Sequence, residues 1–313
     1  MIGLLILAVQ AVATAGPLEP TVINPVTDAY PTVSPDGRKM VFQSKRLGRG
    51  ALFIANIDGT DLRLFLDSGD DPAGAVWSPD GRHIAYSGSV EGDAEIFLVD
   101  ASGKNRRRLT NIRADDSHPT WSPDGTRIFF SSNRHTPDMT LPFGQQWHDT
   151  FSMRIDGSDV RRHTDCKTVC TYPGVSPDGR RLTYRKVLRT PGMRWDLSVM
   201  PANSEVFISN IDGSGERNLS DHAAYDGWPS WSPDGHWIAF SSNRAGPANT
   251  GQVFVVSPDG GAPRKVTRGD WSNTTPRWTP DSRAILTYRH KDMVDYEFGT
   301  LGRTRFDPEA VKE

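Results

Sequence analysis

A fixed interval of 21 residues recurs five times along this chain, and few folds can satisfy it. The tetrapeptide SPDG occurs six times, starting at Ser34, Ser78, Ser122, Ser176, Ser232 and Ser257. The last copy trails the fifth by 25 residues, whereas the others stand 44 to 56 apart. A second type of turn accounts for the misfit: IDGT, ASGK, IDGS, IDGS, PDGG and TLGR, with Gly59, Gly103, Gly157, Gly213, Gly260 and Gly302. The copy at Ser257 belongs to this second set. The sixth member of the first set is degenerate, TPDS, with Asp281. From each second-type Gly to the next first-type Asp (59→80, 103→124, 157→178, 213→234, 260→281) the count is 21. From Asp to Gly it varies: 23, 23, 33, 35, 26 and 21. All spare length therefore lies in one segment of the repeat, the mark of a structural unit that accepts insertions on one face.

Each interval reads as strand. Pro presets φ, Asp bonds the backbone two residues on, and Gly takes φ > 0, so SPDG between apolar runs is a hairpin turn. Its Asp residues are turn formers. Each unit then holds four strands: a before SPDG, b after it (KMVFQS, RIFFSS), c (ALFIANI, EVFISNI) and d (RRRLT, PRKVT). Six such units of about 44 residues predict an all-β six-bladed propeller with four-stranded antiparallel blades. Counting 21 back from Asp36 reaches Ala15, so residues 16–24 fall in the frame of a d strand and are expected to close the last blade, with the tail after 302 as competitor. Predicted boundaries are 1–15 signal peptide, 16–307 propeller and 308–313 tail.

The first fifteen residues, MIGLLILAVQAVATA, carry no charge and end in a small-x-small site. That pattern reads as a secretory signal, shorter than a membrane span; periplasmic or secreted location follows, with no stable span after its removal. Cys166 and Cys170 are the only cysteines. In an exported chain they would close a small disulfide loop; two independent thiols is the alternative. The spacing is no zinc framework. A formal net charge of −2 gives no basic nucleic-acid footprint.

HPTWSPDGTRIFFSSNR and WPSWSPDGHWIAFSSNRAG resemble the WD-repeat-like propeller units of the TolB family, and the likeness runs over residues 17 to 302. It implies a stand-alone exported member, since no counterpart of the TolB N-terminal α/β domain precedes the repeats. TolB is a periplasmic propeller that binds proteins. Related propellers include a pectate-fragment lyase with a His-held metal and the propeller domains of peptidases, so the resemblance speaks to fold more than to function.

Strand order places the b–c insertions and the d–a connections on one face, here the near face, and both turn types on the far face. Residues starting strand a, just before its Pro, should ring the near mouth: Tyr30, His118, Tyr172, Trp228 and Thr275. Two further near-face series recur, Asp28, Asp116 and Asp226 (with Cys170 and Asn273 as variants), and Arg46, Arg134, Arg185, Arg244 and Arg289. Recurring Asp and Arg are expected to pair between neighbouring blades. Ligand-binding candidates are His118, Arg134, Trp147, His148, Tyr172, Arg185, Trp195, Asp226, Trp228, Arg244, Arg289 and His290. Aromatic rings beside guanidinium groups suit an anionic ligand, so a binding or scaffold module for an envelope protein or anionic saccharide is the preferred reading. The alternative is a metal-assisted lyase or hydrolase of acidic saccharides, with His118 and His148 as base or metal ligands. Ca²⁺ or another divalent metal held by loop carboxylates is a third expectation. No HExxH or GxSxG motif is present, so whether the protein is an enzyme stays open.

Overall fold

Six blades circle a central channel. A computed structural model describes residues 27–188, 203–246, 250–290 and 300–309. Blade 1 consists of Asp28–Val33, Lys39–Ser44, Ala51–Asn56 and Arg63–Leu66. Blade 2 is Ala73–Trp77, His83–Val90, Asp93–Asp100 and Arg107–Arg108. Blade 3 is Asp116–Trp121, Arg127–Ser132, Asp149–Arg154 and Arg161–Arg162. Blade 4 is Cys170–Val175, Arg181–Val187, Ser204–Asn210 and Arg217–Asn218. Blade 5 is Asp226–Trp231, Ile238–Ser242, Gln252–Val256 and Arg264–Lys265. Blade 6 shows three strands among the described residues, Ser272–Trp278, Ala284–His290 and Thr300–Arg305. The segment 16–24 expected to supply its fourth strand, and residues 1–15 expected to form a signal peptide, lie outside the described residues. Within each blade the described strands pair antiparallel with their neighbours in sequence, while single parallel bridges, His148 with Val169 and Ser204 with Tyr225, link adjacent blades.

The ring closes through its core. Each buried apolar cluster joins adjacent blades, because a blade buries both faces of its inner strands. Ile96 and Leu98 of blade 2 pack on Trp121, Phe130 and Met153 of blade 3. Val206 and Ile208 of blade 4 pack on Trp231, Phe240 and Phe254 of blade 5. Leu301 of blade 6 packs on Met40, Phe42 and Phe53 of blade 1, and this contact seals the circle. No helix among the described residues is long and apolar enough to cross a membrane.

The far face carries the turns the repeat demands, with one correction: Gly302, read from the sequence as the sixth second-type turn, lies inside strand Thr300–Arg305 opposite Thr287. In the first, Ser34 Oγ donates to Asp36 Oδ1 at 2.6 Å, the Arg38 N–H donates to the same oxygen at 3.0 Å, and Gly37 holds φ 73°. Those bonds hold the Asp36 carboxyl below its usual range, as they do at Asp80, Asp124 and Asp178. The second-type turns brace neighbours. A Cβ on Gly213, which sits at φ 85°, would stand 2.0 Å from the His163 carbonyl oxygen of the preceding blade. Only Gly fits that contact.

Candidate functional site

The near mouth is shaped by one backbone device. Strand a of every blade skips register at its Pro position. The residue at the skip takes a left-handed conformation: Tyr30 φ 53°, Gly74 φ 60°, His118 φ 54°, Tyr172 φ 59°, Trp228 φ 53° and Thr275 φ 49°. For a non-Gly residue this costs about 1–2 kcal/mol, and preceding a Pro disfavours the helical region further. Such a bulge re-aims its side chain. The freed N–H finds a neighbour: His118 N–H donates to Ser87 Oγ of blade 2 at 3.1 Å, and Tyr172 N–H to Ser131 Oγ of blade 3 at 3.2 Å.

In the sector of blades 3 to 5 these side chains touch. The His118 and Tyr172 rings lie 3.8 Å apart at 44°. Tyr172 meets Trp228 edge-on at 5.8 Å, and Trp228 meets Tyr225 at 5.2 Å. Arg185 stands in strand b of blade 4 where blades 2 and 3 carry Ser87 and Ser131. Its guanidinium lies 5.3 Å from the Tyr172 ring centre and donates to Tyr225 Oη at 3.2 Å. Gly227 makes room for this bond, since a Cβ there would meet Tyr225 Oη at 2.5 Å. Burial, then Arg185, His148 and Arg277, push the His118 imidazole down to about 3. Burial and then Arg185 push His148 down to about 4. Both rings are neutral at neutral pH, so the sector carries net positive charge from its guanidiniums.

The recurring Asp and Arg do something else. Arg46, Arg134 and Arg244 pair with Asp28, Asp116 and Asp226 of their own blade at 2.8, 2.8 and 2.6 Å, not with a neighbour's. The register explains it: Asp116 faces Ser132 across the a–b pair, and Arg134 folds back over that rung. The carboxylates are fully buried, and Arg134 also covers the Phe130 and Phe151 rings. Arg134, Asp226 and Arg244 are thus held in ion pairs within their own blades. Arg185 and Arg289 do not belong to this series. They follow their turn Asp by 7 and 8 residues, against 10 for the other three. In blade 4 the Asp position is Cys170, and a disulfide to Cys166 stands where the ion pair would be.

Of the remaining candidates, His148 and His290 are enclosed at 0 % exposure. Arg289 lies over Trp271 in blade 6, 5.2 Å from its ring centre. Trp147 sits in the blade 3 insertion, bonded through its backbone to Thr136. Trp195 lies outside the described residues. Sequence reasoning missed Tyr225 and Arg277. The second carried a signal: the residue after the strand-a Pro is Thr32, Thr120, Gly174 and Ser230 in four blades and Arg277 in the sixth. Among the described residues no group of three or more His, Cys, Asp or Glu could hold a metal. His118 and His148 moreover share their space with Arg185, whose charge repels a cation.

The sequence profile of the TolB beta propeller domain matches residues 70–189 and 196–302. A TolB candidate of Agrobacterium tumefaciens superposes with a TM-score of 0.65 at 22% identity, covering 91% of this chain and 92% of that one. An oligogalacturonate lyase in complex with manganese superposes at 0.59 and 13% identity, covering 92% and 91%. These identities speak for the fold alone. The uncharacterised peptidase YuxL of Bacillus subtilis is 32% identical over 121 residues, 37% of this chain and 16% of its own length. The uncharacterised protein Atu1656 of Agrobacterium fabrum is 29% identical over 126 residues, 40% of this chain and 38% of that protein. The chain thus spans less than two fifths of these curated relatives.

Proposed function

Because the chain belongs to the TolB beta propeller family, whose fold serves binders and enzymes alike, we propose that it is a non-catalytic binding module. Its ligand is an envelope protein or anionic glycan, seated at the near mouth on blades 3 to 5. One observation carries the reading: an unbroken arc of rings, His118–Tyr172–Trp228–Tyr225, with Arg185 set between two of its tyrosines. Flat faces give contact area at low entropic cost, and a guanidinium grips carboxylates bidentately. His118, Tyr172 and Arg185 are half-buried and face the mouth, while Trp228 and Tyr225 are buried behind them as a support; the left-handed backbone at His118, Tyr172 and Trp228 holds the rings in place before any ligand arrives, which lowers the cost of binding. A metal-assisted lyase has less support, since the donor set suits no metal and the neutral histidines lie beside cations.

An oxidising compartment, periplasmic or secreted, is part of the proposal. The apolar first fifteen residues and the Cys166–Cys170 bond support it. The test is a thermal-stabilisation screen of envelope proteins and acidic oligosaccharides. A ligand at 100 times its Kd adds about 2.7 kcal/mol of apparent stability. Tyr172→Ala should abolish the shift for a true ligand; a shift that survives this variant would place the ligand elsewhere and refute the assignment.

A further inference from the structure

We propose that Arg277 anchors an anion site inside the channel, and that its occupant is the terminal carboxylate of an extended peptide whose body lies on the aromatic arc; this rests on the binding reading above. One step below the mouth ring, the residues after the strand-a Pro form a second ring: Thr32, Val76, Thr120, Gly174, Ser230 and Arg277, all lining a cavity of about 300 Å³. Five are neutral and small. The sixth is a cation.

A guanidinium has five N–H donors. For Arg277 the hydrogen bond found among the described residues is to the Pro276 carbonyl in the same strand, at 3.4 Å. Among the described residues the ionisable groups that reach it are Tyr172 and Tyr30, neither of them a carboxylate. Burial lowers its pKa, but an Arg remains charged. A cation half-buried at the channel wall without a counter-charge is unfavourable, so the position weakens the empty protein and favours an anion in the channel.

The walls choose the kind of anion. Trp77, Trp121, Trp231 and Trp278 line the same cavity. One cation amid apolar rings suits a neutral chain carrying a single charge at its end. An oligouronate would bring a charge at every sugar to a cavity with one cation, and each further charge would enter without a counter-charge. Arg277 lies two strand residues inside Thr275, about 7 Å along the axis, so a chain end reaches it while preceding residues cross His118 and Tyr172.

The experiment passes N-acetylated degenerate hexapeptides, as free acids and as C-terminal amides, over the immobilised full chain and quantifies what is retained. Wild type should hold free acids roughly tenfold over amides. Arg277→Gln should erase that preference while leaving residual retention, and Tyr172→Ala should lower retention of both sets. Arg277→Gln should also raise the Tm of the empty protein, which guards against loss by misfolding; Arg277→Lys should keep a weakened preference. Equal retention of acids and amides by wild type, or a preference that survives Arg277→Gln, overturns the anchor. If Tyr172→Ala still lowers retention in that case, the arc reading stands alone. Preferential retention of tri-galacturonate over every peptide overturns the choice of a peptide.

Discussion

Glu205 of blade 4 and Asp226 of blade 5 are buried carboxyl groups, and the charge on Asp226 favours a proton on Glu205. Glu205 is 2 % exposed and accepts hydrogen bonds from Ser220 Oγ and the His222 N–H. Blades 2 and 3 place Arg108 and Arg162 beside the equivalent acids, Glu95 and Asp149; blade 4 has Asn218 there. Burial first, then the Asp226 charge, push the Glu205 carboxyl up to about 7 from 4.5. Asp226 Oδ1 has no donor among the described residues, and we expect a proton kept on Glu205 to supply one. A carboxyl that titrates near 7 rather than 4.5 holds its proton up to about 3 kcal/mol more tightly than in the unfolded chain. The folded pKa is the raised one, so this stability is present in full below pH 4.5 and is lost as pH rises through 7. His118 and His148 work oppositely: their folded pKa values of about 3 and about 4 lie below 6.5, so they cost stability as pH falls below 6.5. They are common to wild type and Glu205→Gln and cancel in the difference. Gln keeps a donor toward Asp226 and an acceptor for Ser220. Thermal unfolding from pH 4.5 to 8 should therefore show the two proteins alike at the acid end. At pH 8 Glu205→Gln should be the more stable by up to about 3 kcal/mol, about 6 °C in a chain of this size. Asn218→Arg should flatten the same difference by ionising Glu205. A difference constant with pH would refute the shared proton.

Two further perturbations test the frame. Gly213→Ala meets both a left-handed φ and the His163 carbonyl, whereas Gly37→Ala meets the φ alone; by denaturant titration the first should cost at least about 2 kcal/mol more than the second, and equal costs would deny the blade-to-blade contact. Replacing Cys166 and Cys170 together by Ser should cost about 2 kcal/mol from the small loop they close, with Tm lowered to match wild type in reductant; an unchanged Tm would show that the bond is not formed.

The ring was legible because its turns are chemically obligatory. Pro, Asp and Gly recur where φ must be preset, bonded or positive, so counting between them measured the blade. The far face followed directly. Near-face roles were harder to read. His118, Tyr172 and Trp228 were placed at the mouth, but nothing in a pre-proline aromatic announces a left-handed backbone, which propensity opposes. The Arg residues misled because their neighbours look alike: SSNR runs off the end of strand b and YRK lies within it, so Arg134 folds back onto Asp116 while Arg185 reaches over Tyr172. The count from the turn Asp held the distinction. Tyr225 could not be found from sequence, since its contact with Arg185 depends on Gly227 leaving the space open.

The account turns on where a ligand sits. Amide hydrogen exchange on the full chain, with and without a binder recovered from the stabilisation screen, measures that most directly. Protection is expected over 116–121, 170–187 and 225–231, with the SPDG turns and the outer d strands unchanged. Protection concentrated on those turns, or on the outer strands, would contradict it.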